Sequence, residues 1–512
     1  MTKQAIMGVD IGTTGVRAVL YRPDGAMLAN KSVEYALHTP EAAWAEQDPE
    51  EICQATLTVI REAVKAAELP ADEIAGLCFS SVFHSLIPVD AAGAALHPML
   101  IWADTRSQKY VEKIKSEQDG QAIYAKTACP PHPMYPFYKI LWFKHERPAI
   151  FAHTAKFISI KEYIFYRLLG KYIVDKSIAS GTGLYNVHTL QWDAELLTLA
   201  GIEADKLSSV ASTTHIERTL KPEIAASLCL DPQTAIILGA GDGILSNVGA
   251  GAVNPGQITA MIGTSGAVRV ITDRPQIDAQ RRTWCYNLTD EHWVLGGAIN
   301  NGGIALRWLR DTLGECECQK AQNESLDAYD LLIHSAEKAA VGADGLLLLP
   351  FFSGERAPYW NANARAVFFG LNLKHTKADM VRATLEGVIY SMYSVFSALE
   401  AFAGSANEIR VSGSFTRSPL WVQIMADVFG RVISVPGEPE GSAFGAAALG
   451  MYALGIFDDI QEIGSLVPIT KKYYPNEANH LRYQKLFALY ERIYWNLQRE
   501  FVDIAAIQHD WH

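Results

Sequence analysis

Gly8-Val9-Asp10-Ile11-Gly12-Thr13-Thr14-Gly15-Val16-Arg17 is the stretch on which the fold turns. An apolar strand delivers a carboxylate, breaks at a Gly-Thr-Thr-Gly turn and resumes as an alternating apolar strand, the pattern of a hairpin. About half a chain later, Ile262-Gly263-Thr264-Ser265-Gly266-Ala267-Val268-Arg269 repeats it. Strand-like residues follow each copy, at 26–35 and at 283–298. Short runs of this kind recur by chance, but each copy opens a β-rich segment at the matching place of its half, which favours a duplicated domain. Helical periods come next: 48–67, 136–145 and 159–169 in the first half, then 377–403, 418–429, 443–454 and one long amphipathic helix over 477–501. Asp48 before Pro49 reads as an N-cap with proline at the first helical position. Strands first and helices after predict an α/β fold with a mixed sheet in each half. The cluster Gly249, Gly251, Pro255 and Gly256 places a boundary between residues 242 and 257.

Composition narrows the function classes. The chain has 512 residues, 49% hydrophobic and 20% charged, which excludes a largely disordered protein. Lys and Arg number 44 against 56 Asp and Glu, a formal net charge of −12. That balance argues against sequence-independent nucleic-acid binding, which depends on neutralising phosphates. An anionic substrate would need a locally basic pocket. The longest uncharged apolar run, 443–457, is too short to span a bilayer and predicts a buried helix. The amino terminus lacks a basic head and apolar stretch, so no secretory leader or membrane segment is expected. Seven scattered cysteines without a CxxC pair are a reduced, cytoplasmic pattern.

Several segments carry chemistry. Asp10 beside a glycine-rich turn places a hard-cation ligand next to backbone N–H groups that can cradle phosphate. Thr13 and Thr14 add hydroxyl donors and Arg17 a cation; an ordinary hairpin closed by an Asx turn is the other reading. With Gly263-Thr264-Ser265-Gly266 as a second copy, two phosphate hairpins would grip a polyphosphate across a cleft. Neither matches a Walker A or GxGxxG pattern. In Leu238-Gly239-Ala240-Gly241-Asp242-Gly243 a strand delivers an accessible carboxylate suited to a general base, or simply a turn aspartate. Glu355 and Arg356 follow a buried strand, where a structural ion pair or loop anchor stands beside a catalytic role. Gly413 and Ser414, between a strand and a helix start, suit a nucleotide-binding edge. The small residues after Gly441 read as tight helix packing.

In this order, Asp10 with its hairpin, Gly239-x-x-Asp242, Gly263-Thr264-Ser265, Ser353-Gly354-Glu355-Arg356 and Gly413 resemble the FGGY carbohydrate kinases. Ala366-Val367-Phe368-Phe369-Gly370-Leu371, then Asp379-Met380 and Ala383-Thr384-Leu385-Glu386, match that family's signature in full. A second signature is matched less cleanly by Met134-Tyr135-Pro136, Lys139-Ile140 and Trp142-Phe143, with His145 where a longer polar residue is usual. The resemblance covers residues 5–454. It implies two duplicated actin/Hsp70-like (ribonuclease H-like) domains with a cleft between them: a sugar-binding domain over 1–246, an ATP-binding domain over 247–455 and a helical segment over 456–512.

The same resemblance implies phosphate transfer from Mg-ATP to a sugar or polyol hydroxyl, with Asp242 as general base and Asp10 as metal ligand. Thr13, Thr14, Arg17, Gly263, Thr264, Ser265, Gly413, Ser414 and Arg417 would bind ATP and its phosphates. His84, Ser85, Trp102, Asp104 and Asp242 would meet the sugar. His84-Ser85-Leu86, with Ser159-Ile160-Lys161-Glu162-Tyr163 and Ile178-Ala179-Ser180-Gly181-Thr182-Gly183, is most similar to the family's gluconate-phosphorylating members. For such a substrate His84, Arg106 and Lys161 are the candidates to meet the carboxylate, Arg106 alternatively pairing with Asp104. Xylulose or another pentulose is the alternative within the family. A chaperone-like or filament-forming ATPase of the same fold is the alternative outside it. The partners expected are a sugar acid and ATP, in a cytoplasmic protein that could form a homo-oligomer.

Overall fold

In the computed structural model, which describes residues 5–41, 43–254, 256–404, 408–437 and 441–510, the chain divides into two compact units. Met1–Pro255, Ile271–Leu295 and Gly437–Pro468 form the first; Gly256–Val270, Gly296–Pro436 and Ile469–His512 form the second. Neither unit is one continuous stretch. Pro255, part of the expected boundary, lies outside the described residues.

The first unit is built on Ala5–Ile11, paired antiparallel with Gly15–Tyr21 and parallel with Ile74–Ser81. Ala235–Gly241 adds in parallel to Ile74–Ser81, and Ile216–Glu217 closes that edge antiparallel. The second unit repeats this arrangement. Gln257–Ile262 pairs antiparallel with Gly266–Thr272 and parallel with Glu408–Ser412; Ile433–Pro436 adds in parallel and Ile469–Tyr473 closes antiparallel. Five strands of each unit share one order and one set of directions, so the short Gly-Thr repeat does mark a duplicated mixed sheet.

The expected helices form where their caps predict. Asp48 accepts from the N–H groups of Glu50 and Glu51 and starts the helix Pro49–Ala67. Ser159 and Glu162 make a reciprocal capping box for Ile160–Leu169. The helix Ser442–Ala453 is buried along most of its length, as the apolar run suggested. It lies so close to the first strand that a Cβ on Gly8 would stand 1.8 Å from the Ala443 carbonyl oxygen. The single long C-terminal helix is corrected: it is two, Glu477–Asn496 and Gln498–Asp510. Leu497 closes the first, its N–H shared between the Ile493 and Tyr494 carbonyls, a tightened last turn that needs neither glycine nor proline. The strand-like stretch 283–298 is likewise two strands, Trp284–Asn287 and Trp293–Ile299, with the Leu288 N–H bonded to the His292 carbonyl between them.

Candidate active site

In the first unit, Asp10 reaches the end of its strand opposite Arg17 and level with Ser80. Its Oδ1 accepts the Ser80 hydroxyl at 2.6 Å and its Oδ2 the Ser442 hydroxyl at 2.6 Å. Two hydroxyl donors thus orient the carboxylate, and each oxygen keeps a further lone pair, which suits a cation held directly or through water. The turn closes with Gly12 N–H on the Gly15 carbonyl at 3.0 Å. Gln47 Nε2 donates to the Thr13 carbonyl at 2.8 Å and Trp102 Nε1 to the Thr13 hydroxyl at 3.0 Å. Thr14 and Arg17 stay exposed. Asp10, Arg17, Asn30, Gly441 and Ser442 line a cavity of about 500 Å³.

Asp242 follows the strand Ala235–Gly241 and opens the helix Asp242–Gly249. The Gly243 N–H donates to its Oδ1 at 2.6 Å, and the carboxylate is half-buried. Gly239 bends the strand just before it: φ is +69°, and a Cβ there would lie 1.9 Å from the Phe79 carbonyl oxygen. Tyr35 feels the charge of both acids. Its hydroxyl donates to the Gly12 carbonyl, and burial, reinforced by Asp10, then Asp242 and Glu51, pushes its pKa far above the usual phenol value. Both carboxylates therefore act on one hydroxyl that stays protonated.

His84 adopts a left-handed backbone, φ +64°. Its Nδ1 lies 2.7 Å from the Gly181 carbonyl oxygen, which only accepts, so Nδ1 carries a hydrogen. Phe83, Tyr135 and Tyr286 surround the ring at centroid distances of 5.4, 5.0 and 6.0 Å. Beneath it the fully buried Lys139 donates to the His84 and Ile101 carbonyls at 2.6 and 2.7 Å. Burial pushes this amine down to about 7; Asp104 opposes the shift and Arg106 adds to it.

Other expected contacts are committed elsewhere. Ser85 is buried, its hydroxyl accepting the Ile160 N–H at 3.1 Å. Asp104 is buried, accepting the Ala45 N–H at 2.8 Å and Arg106 Nε at 3.0 and 2.9 Å. Arg106 also reaches Glu46 at 2.7 Å and lies over the Trp44 ring at 3.8 Å. Lys161 pairs with Asp175 at 2.8 Å, both buried. These four brace the wall, so Arg106 and Lys161 are not presented to an anion and His84 is left as the candidate.

In the second unit the Gly263 N–H closes on the Ser265 carbonyl at 2.9 Å. The Gly263 and Thr264 carbonyls accept the N–H groups of Gly303 and Gly302 at 2.7 and 3.0 Å, seating the turn on the start of the helix Gly303–Leu313. A Cβ on Gly302 would fall 2.5 Å from the Ser265 carbonyl oxygen, and one on Gly413 (φ +97°) 2.3 Å from that of Ile262. Gly263, Thr264, Arg307, Tyr329, Asp330, Ile333, Ser414, Arg417 and Trp421 line a cavity of about 170 Å³ in which polar and apolar groups are mixed. Ser265 and Gly413 support that turn without lining the cavity. A glycine turn beside a pocket with aromatic, aliphatic and polar lining fits the phosphates and base of a nucleotide. Glu355 is a loop anchor: buried, it accepts the Asn300 and Arg356 N–H groups at 2.6 and 2.8 Å and the Ser391 hydroxyl at 3.2 Å. Burial pushes its carboxyl up to about 7.

Sequence reading missed Tyr35, Gln47, Ser80, Ser442, Lys139, Gly302 and Trp421. The Asn300-Asn301-Gly302-Gly303 run after a strand and the place of Lys139 in the second family signature were visible signals; the rest depend on pairings distant in sequence.

Comparison with known proteins follows the same lines. The FGGY family model for carbohydrate kinases matches through its N-terminal domain over residues 5–249 and its C-terminal domain over 258–454. A gluconokinase of Bacillus subtilis is 43% identical over 504 residues, 98% of each chain. The crystal structure of a gluconate kinase from Lactobacillus acidophilus superposes with a TM-score of 0.93 at 36% identity, covering 98% of this chain and all of the other. A ligand-bound xylulose kinase from the same organism gives 0.92 at 36% identity, with the same coverage. Matched across both halves by model, relative and fold, the chain belongs to the FGGY family of carbohydrate kinases.

Proposed function

We propose that the enzyme phosphorylates D-gluconate at O6, taking the γ-phosphoryl group of ATP and releasing 6-phosphogluconate and ADP. The observation that carries this reading is the 43% identity, over nearly the whole chain, to a gluconokinase. Asp242 accepts the proton of the attacking hydroxyl as the O–P bond forms and ADP leaves. Thr13, Thr14 and Arg17 meet the transferring phosphoryl group, where positioning and electrostatics supply most of the acceleration. Asp10, oriented by Ser80 and Ser442, would hold Mg²⁺, directly or through water, and the ion would supply neutralisation of phosphate charge. Gly263, Thr264, Ser265, Gly413, Ser414 and Arg417 bind the nucleotide, and the aromatic lining at Trp421 and Tyr329 takes the base.

His84 and Trp102 read the sugar acid. With Nδ1–H given to Gly181, a neutral His84 offers Nε2 as an acceptor for a hydroxyl; donation to a carboxylate needs the imidazolium. Ser85 and Asp104 act behind these two by holding the wall. In domain terms, most of residues 1–246 bind the sugar and most of 247–455 bind ATP. Residues 456–512 supply the strand Ile469–Tyr473 to the second sheet besides the helices Glu477–Asn496 and Gln498–Asp510, which corrects the expected purely helical segment. No helix among the described residues is long and apolar enough to cross a membrane. On the separate ground of its scattered free cysteines we assign the enzyme to the cytoplasm.

A coupled ADP-release screen over gluconate, xylulose, ribulose, glycerol and fuculose tests the reading. Gluconate should give the highest kcat/KM. The equal likeness to the xylulose kinase structure makes xylulose the second reading, and a higher kcat/KM for xylulose would replace the first with it.

A further inference from the structure

Lys139 sits in the helix Pro136–Glu146 with no exposed surface, and among the described residues no carboxylate pairs with it. Asp104, the nearby acid that acts on it, is committed to Arg106. A buried ammonium without a counter-ion is costly, and an unbranched apolar side chain would fill the same space without that cost. What the ammonium does instead is hold two carbonyls, those of His84 at 2.6 Å and Ile101 at 2.7 Å. Each belongs to a loop that carries a side chain of the sugar wall.

The His84 carbonyl is the one whose direction depends on the left-handed φ of +64°. That conformation is uncommon for a residue with a Cβ and persists where surrounding contacts over-determine it. Three contacts do so here: Lys139 on the carbonyl, Gly181 on the ring nitrogen, and the Ile160 N–H on the next hydroxyl, that of Ser85. The Ile101 carbonyl directly precedes Trp102, whose indole N–H is bonded to the Thr13 hydroxyl at 3.0 Å. One amine therefore fixes the spacing between the His84 loop and the Trp102 loop, 55 and 38 residues away from it along the chain.

We propose that Lys139 is a positioning residue for the sugar substrate, pinning the His84 and Ile101 carbonyls so that the His84 ring and the Trp102 indole stand ready at the binding wall. It touches no substrate itself. The proposal rests on the reading of His84 and Trp102 as sugar contacts.

Lys139→Met keeps length and apolar bulk but loses the donors; Lys139→Gln keeps a donor for one carbonyl. KM for gluconate should rise roughly 10- to 150-fold in Lys139→Met, the range of one hydrogen bond involving a charged group, with KM for ATP within about twofold. Lys139→Gln should fall between it and the wild type. The melting temperature of Lys139→Met should not fall, because an unpaired buried charge has been removed. A merely structural lysine would move both KM values together with the melting temperature, or neither KM. A shift below about threefold in KM for gluconate in folded protein overturns the proposal, as does failure of both variants to fold. Should the unmutated enzyme prefer xylulose, the gluconate reading fails on its own, and the same KM comparison on xylulose decides the role of Lys139.

Discussion

The two Gly-Thr turns share a backbone plan and differ in what surrounds it. Ile11 pairs with Val16 across four residues in the first; Ile262 pairs with Gly266 across three in the second. Asp10 stands before the first turn, bound to Ser80 on the parallel strand, whereas the same place before the second is Met261, level with Ser412. The first turn is braced by the side chains Gln47 and Trp102. The second is braced by backbone N–H groups from Gly302 and Gly303. A duplicated turn has thus kept its glycine-threonine hairpin in both units and a carboxylate before it in only one. On the proposed reading, cation chemistry and proton transfer belong to the first unit, and nucleotide shape to the second.

The largest effect should come from the acid that has no counterpart in this comparison. Asp242→Asn keeps volume and removes the proton acceptor, so kcat should fall about 10²- to 10⁴-fold while KM for ATP stays nearly constant. Steady-state kinetics check it, and a variant retaining a third of the wild-type kcat would remove Asp242 from the role of base.

Next in size is the contrast between sugar side and nucleotide side. His84→Ala should raise KM for gluconate about 10- to 150-fold and leave KM for ATP alone. Gly302→Ala should do the reverse, since its Cβ would fall 2.5 Å from the Ser265 carbonyl oxygen and the second turn must shift. Equal changes in both KM values in either variant would mean that the two units do not divide the substrates in this way.

Much of this was legible in the sequence because it is local. A hairpin, a capped helix and a glycine-flanked carboxylate are written within ten residues, so Asp10, Asp242, the Pro49–Ala67 helix and both turns could be read directly. The wall of the site was not, because its bonds join distant residues. Arg106 binds Glu46 60 positions away, and Ser442 reaches Asp10 across 432. Charge alone marked Arg106 and Lys161 as partners for an anion; the structure shows the alternative pairing of Arg106 with Asp104, and burial reveals that Lys161 is matched by Asp175. Asp104 and Ser85, expected to meet the sugar, are likewise buried and hydrogen-bonded within the protein. Small residues after Gly441 do signal close packing, as expected, yet the first of them, Ser442, also carries the hydroxyl that orients Asp10. Ser442→Ala should therefore raise the Mg²⁺ concentration needed for half-maximal rate by about tenfold, the value of one charge-assisted hydrogen bond, without changing KM for gluconate. An unchanged Mg²⁺ requirement would reduce that bond to a packing detail.

The smallest expected effects are on stability, and they take opposite signs in the two units. Lys139 in the first and Glu355 in the second are both buried and both pushed to about 7, one from above and one from below. The unfolded lysine keeps its proton up to its ordinary value of 10.5, while the folded one releases it above about 7. Between those values the unfolded chain binds more protons, so this group's contribution to stability rises with pH. Glu355 behaves inversely: from 4.5 to about 7 the folded acid holds a proton that the unfolded one has lost, and its contribution falls as pH rises. Lys139→Met should therefore gain most over the wild type below pH 7, with the gain shrinking towards pH 10. Glu355→Gln, which can keep the bonds from Asn300 and Arg356 through its carbonyl oxygen, should improve relative to the wild type between pH 4.5 and 7 and then level off. Melting temperatures of the three proteins across pH 4–10 read both slopes. A parallel pH dependence of wild type and Lys139→Met would show that the two carbonyls, with Asp104, hold the ammonium charged despite its burial.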